Sequence, residues 1–162
     1  MFHLSLSYYA VAYQCDPPLL RGRDLRPLSA EEITETCEVL LAAACFHQCR
    51  DWLLDGRSHQ QAQPQALHEW MQEEYFPRVR AELKGQPSIA FLVPPFVWEG
   101  LRAQGYAQPE DSAFHGVRMA WFTEEEAALA WLAGQQEQQD IRIKGYFDVK
   151  RDHPIALQQY TP

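Results

Sequence analysis

Five consecutive residues, Asp55-Gly56-Arg57-Ser58-His59, gather a carboxylate, a guanidinium, a hydroxyl and an imidazole directly after the apolar run Trp52-Leu53-Leu54. A strand that ends in such a loop and passes into a helix is where parallel α/β sheets bind ligands, because backbone N–H groups and a helix N-terminus meet there. The plainer reading is turn chemistry: Asp55 bonds backbone groups, Gly56 permits an unusual backbone angle and Arg57 makes a surface ion pair. Ser58 and His59 are neighbours in sequence, which does not make a nucleophile and its base, since the two must converge in space and the base needs an orienting partner. No Gly-x-Ser-x-Gly elbow occurs, and hydrolase chemistry is not expected.

Other clusters lead no further. Cys45, His47 and Cys49 in "CFHQC" invite a metal, but a closed zinc site needs four ligands and no second Cys-His cluster completes the shell. His68-Glu69 begins like a zincin motif, yet position 72 is Gln72. The glycines are isolated rather than set in a phosphate cradle, so neither a metal nor a nucleotide cofactor is expected. Glu73-Glu74 and Glu124-Glu125-Glu126 read as solvated helix faces and first turns. Four of the five tryptophans, Trp52, Trp70, Trp121 and Trp131, fall on apolar stripes and suit a core. Phe96 and Trp98 differ, because "PPFVWEG" opens a helix at the carboxyl end of a strand and offers an apolar wall for a crevice beside the Asp55–His59 loop.

Composition narrows the class. A chain of 162 residues, 46% hydrophobic, is the size of one domain with one substantial core. Acidic residues outnumber basic ones by 22 to 14, giving a net charge of -8, and the lysines and arginines are scattered, so a nucleic-acid partner is not expected. No segment approaches the roughly 20 apolar residues that cross a bilayer, and no basic leader precedes an apolar run at "MFHLSLSYYAVAYQC", so the expectation is a cytoplasmic protein without membrane insertion. The four cysteines are expected as reduced thiols.

The elements that must hold the loop follow from pattern. Residues 1–28 suit two or three antiparallel strands around the Cys15-Asp16-Pro17-Pro18 break. Ser29 with Glu32 forms a capping box ahead of the stripe Ile33, Cys37, Leu40, Leu41, Ala44, which predicts a helix. Asp51 to Leu54 reads as a buried strand, and Pro64 to Leu83 as a helix that Pro77 kinks or ends. "SIAFLVPP" reads as a strand, "FVWEGLRAQG" as a short helix, and "GVRMAWF" as a further strand. Thr123 with Glu126 should then cap a last helix that Gly134 stops. Alternating strands and helices imply right-handed crossovers. The expected fold is α/β, a mixed, largely parallel sheet with an N-terminal antiparallel hairpin and about four helices. The expected domain covers 1–134. Residues 135–162 form an extension in which "QQEQQD" is a linker and Ile141 to Val149 an added or exchanged edge strand, which also suggests a homodimer.

The order of elements, with Leu54, Asp55 and Arg57 ending the central strand and Phe122, Glu126, Ala127, Ala128, Trp131 and Leu132 in the last helix, resembles small bacterial STAS-like domains related to anti-sigma-factor antagonists. The likeness spans residues 1–134. It implies a regulatory or interaction domain without catalysis that binds a protein partner through the Asp55–His59 loop and the helix after it. In the wider family a serine in this loop is phosphorylated to control binding; the usual Asp-Ser-Ser-Gly type of loop is absent here, and Ser58 stands nearest its place. Lipid-carrier relatives imply the alternative, a carrier or sensor of a small apolar ligand held in the crevice lined by Phe96 and Trp98. The candidate site residues are thus Asp55, Arg57, Ser58, His59, Phe96 and Trp98.

Overall fold

A computed structural model describes residues 1–59, 63–103, 113–114 and 116–152, with the backbone course alone for 113–114 and 143–152. The chain divides into two compact units, Met1–Leu132 and Ala133–Pro162. The first is a mixed α/β structure built on a seven-stranded sheet in the order β1-β2-β3-β4-β5-β7-β6.

Strands β1 (Phe2–Ser5), β2 (Tyr9–Cys15) and β3 (Pro18–Asp24) form the antiparallel part, with β2 and β3 joined by the two residues Asp16-Pro17. β3, β4 (Asp51–Asp55), β5 (Ser88–Leu92) and β7 (Val117–Phe122) run parallel, and β6 (Ala113–Phe114) pairs antiparallel with β7. The parallel register puts Arg23, Asp55, Leu92 and Phe122 in one row across the carboxyl ends of four strands. That row carries the loop in question.

Side-chain alternation sends successive residues to opposite faces of the sheet. Leu20, Trp52, Ile89 and Met119 join one core with Leu40, Leu41 and Ala44 of α1 (Ala30–His47) and with Tyr75, Phe76 and Val79. Leu19, Leu53, Ala90 and Leu92 face the other way and meet Ala128 and Leu132 of α5 (Glu125–Asp152). Trp52 is fully buried, with its indole N–H donating to the Cys49 carbonyl at 3.0 Å. Truncating such a residue costs about 3–5 kcal/mol. Gly22 in β3 is required by close approach: a Cβ there would stand 2.0 Å from the Tyr9 hydroxyl.

The Ser29–Glu32 capping box is present at the start of α1, and Gln48 closes that helix in the left-handed conformation at φ 51°. Between Pro64 and Leu83 the helix is not simply kinked. It runs as α2 (Gln65–Trp70), a π-helical turn (Met71–Tyr75) and α3 (Phe76–Glu82), with Pro77 in the first turn of α3. Proline offers no N–H to the carbonyl four residues back and its ring crowds that carbonyl, so a wider turn ahead of it relieves both.

The C-terminal expectations are corrected. α5 starts at Glu125, and its first bond runs from Ala128 N to the Glu124 carbonyl, one residue after the expected Thr123 cap. It passes through Gly134 without a stop and carries Gln135 to Asp152, so Ile141 to Val149 is helix rather than edge strand. An interior glycine costs only about 1 kcal/mol against alanine, and glutamine and glutamate extend an existing helix at little cost. The end of the short helix α4 (Pro95–Ala103) expected at Gly105 lies outside the described residues.

Candidate functional site

The Asp55–His59 loop leaves β4 at the row of strand ends. Gly56 N–H extends the sheet ladder by donating to the Leu92 carbonyl at 2.9 Å, and His59 N–H returns to the Gly56 carbonyl at 3.2 Å. Asp55 Oδ1 accepts the Arg57 backbone N–H at 3.1 Å, which sets the turn. The same carboxylate receives the Arg57 fork, Nε on Oδ1 at 3.0 Å and Nη2 on Oδ2 at 2.8 Å. The turn chemistry expected of Asp55 and Arg57 is therefore present. Gly56 differs from expectation, because its φ lies outside the left-handed region. Its role is space, since a Cβ would meet His59 Cδ2 at 3.3 Å.

Electrostatics follow the geometry. Burial pushes the Asp55 carboxyl up, but the Arg57 guanidinium and N–H, with Arg23 beyond, outweigh it and hold the group below the ordinary carboxylate range. Arg57 is raised in turn by the same contact. Its side chain stays 43% exposed, and Nη1 is the donor not engaged on Asp55.

Asp24 is the residue that the sequence did not flag. It ends β3 beside this loop with a side chain only 7% exposed, and His59 Nε2 lies 2.5 Å from its Oδ2. Among the described residues Oδ2 has no aligned hydrogen-bond donor, so the contact is a close approach that becomes an ion pair only when the imidazole is protonated. The other ring nitrogen, Nδ1, is 3.0 Å from the Gln63 amide nitrogen. A neutral imidazole accepts from that amide, and an imidazolium donates to it once the amide turns over. A neutral imidazole that accepts from Gln63 at Nδ1 must release that amide before this nitrogen can take a proton from anything else. Across β2, Tyr9 pairs with Asp24 in register, and its phenol is driven well above its ordinary value by burial first and by Asp24 next.

Ser58 Oγ is enclosed and has no hydrogen-bond partner among the described residues. A kinase reaches it only after the loop opens. Phe96 and Trp98 sit on α4, which follows β5 through Val93 and Pro94 at the same end of the sheet. Phe96 is 46% exposed and Trp98 half-buried. The outer face of α2 near the loop is polar, with Gln65, His68 and Glu69 exposed.

The "CFHQC" residues turn to separate neighbours. Cys45 Sγ faces Glu82 at 3.4 Å, Cys49 Sγ faces the Asp51 carbonyl at 3.4 Å, and His47 stacks on Tyr13 with centroids 4.0 Å apart. Burial pushes the Cys37 thiol up to about 12 and the Cys49 thiol to about 11. Among the described residues no three of His, Cys, Asp and Glu converge on a metal position. Among them, too, no helix is long and apolar enough to cross a membrane. Compared with family models, with curated proteins and with solved structures, the chain matches none.

Proposed function

We propose that this chain is a STAS-like regulatory or interaction domain that binds a protein partner, without catalysis, through the Asp55–His59 loop and α2. The observation that carries this reading is the two-bond clamp of Arg57 on Asp55. It fixes a half-exposed guanidinium in advance, so a partner gains a polar anchor at little entropic cost. Arg57 and the exposed Phe96 supply, at one end of the sheet, an arginine, a frequent interface anchor, and an aromatic ring, a class enriched at interfaces. His59, engaged at both nitrogens, serves to tie the loop down rather than to move protons. A photo-crosslinking residue at Gln65, exposed on α2, is expected to trap a discrete partner in extract from the native host, whereas the same residue at Glu31, exposed on α1, is not. Equal labelling from both positions, or none from either, refutes the proposal.

The exposed ring of Phe96, on the helix that also carries half-buried Trp98, favours one second reading, a carrier of a small apolar ligand at that end. A mass excess on the native protein that disappears on denaturation supports it, and a bare polypeptide mass under both conditions removes it.

A further inference from the structure

Among the described residues the sheet has an edge without the usual guards, remote from this loop and independent of the function proposed above. β1 is the outermost strand, and all four of its residues, Phe2-His3-Leu4-Ser5, are exposed. Edge strands are usually protected by charge, proline or a bulge. β1 has no acidic or basic residue apart from His3 and no proline.

The apolar surface beside it continues past the edge. Phe2 pairs with Tyr13 and Leu4 with Val11, and Val11 lies in the core beneath α1. Phe2 and Leu4, each 38% exposed, therefore carry the α1 face of the sheet one strand outward. The last turn of α1 reaches this point: His47 stacks on Tyr13, and its ring centroid is 5.2 Å from that of Phe2 and 4.9 Å from that of Phe46. Phe46 itself is 82% exposed. Met1, Phe2, Leu4 and Phe46 thus place four of the seven exposed large hydrophobic side chains among the described residues at one corner.

We propose that this corner is a self-association surface, filled by a second copy of the chain through antiparallel pairing of β1 with β1. A two-fold axis normal to the sheet satisfies the open backbone groups of both edges, and it keeps both α1 layers on the same side. The apolar shelf of Phe2, Leu4 and Phe46 then meets its own copy. Two chains of net charge -8 repel overall, but β1 brings no aspartate, glutamate, lysine or arginine to the seam itself. Size sets the strength. A four-residue strand falls short of the roughly 800 Å² per partner of a stable interface, so Phe46 must contribute and the dimer is weak.

Sedimentation velocity of the full chain from about 1 to about 500 µM reads this directly. The wild type is expected to pass from monomer to dimer across that range. Phe46→Glu and Leu4→Lys, both at exposed positions, are each expected to weaken association about tenfold or more at unchanged melting temperature. A wild type that stays monomeric throughout overturns the proposal. So does a dimer whose Kd is the same in both variants.

Discussion

Replacing His59 with alanine tests whether the loop is tied to the sheet. The substitution leaves the Asp24 carboxylate, 7% exposed, facing an empty space where an imidazole stood at 2.5 Å. Leaving a buried carboxylate without the group that faced it costs up to about 3 kcal/mol. His59 is nearer the surface at 17% exposed, and its N–H is not aligned on Oδ2, so water reaches part of the gap and the loss falls to about 2 kcal/mol. With a urea slope of about 2 kcal/mol/M for a chain of this size, the unfolding midpoint drops by about 1 M. Asp24→Asn removes the charge but keeps an acceptor, and should cost about 1 kcal/mol. Because the two act on one contact, the double variant should be less destabilised than the sum, with a coupling of about 1 kcal/mol. The assay is urea unfolding followed by tryptophan fluorescence, which reports on the buried Trp52. A His59→Ala variant within about 0.5 kcal/mol of wild type, or a coupling of zero, would show that the loop is not held by Asp24.

Other outcomes follow from single contacts. Ser58→Ala deletes an enclosed hydroxyl without a partner among the described residues, so stability should hold or rise by up to about 1 kcal/mol in the same urea assay, and a marked loss would mean the hydroxyl is bonded. Gly22→Ala drives a methyl into Tyr9 and Leu40 and should cost about 2 kcal/mol or more, read as a lower melting temperature. Asp55 titrates below its ordinary value in the folded chain, so its contribution to stability is present above about pH 4 and is lost as pH falls through the folded value. Carboxyl resonances followed by NMR should show this, with Arg57→Ala moving the Asp55 midpoint upward. A thiol reagent at neutral pH should label exposed Cys15 first and leave Cys37 and Cys49 until unfolding, since burial raises both thiols.

Much of the scaffold was legible because its signals are local. The Ser29–Glu32 box lies within one turn, and the apolar runs at Trp52, Ile89 and Met119 mark buried strands by composition alone. The position of the Asp55–His59 loop at the strand ends was legible for the same reason. Asp24 was not, because nothing in "LLRGRD" says that β3 lies parallel to β4 and delivers a carboxylate to His59. The far helix was misread from a glycine and a β-rich stretch, where the residues between them prolong a helix already begun. Gly56 was assigned a torsional role, whereas a neighbouring ring explains it, and only a folded chain reveals that ring.

The central claim is that Arg57, held by Asp55, is the recognition element of a partner-binding face. Affinity capture from native extract with wild type and with Arg57→Ala, compared by quantitative mass spectrometry at matched melting temperature, tests it most directly. The expected result is a discrete set of proteins held by the wild type and depleted about tenfold or more by the variant. Identical captured sets, with the variant still folded, would contradict it.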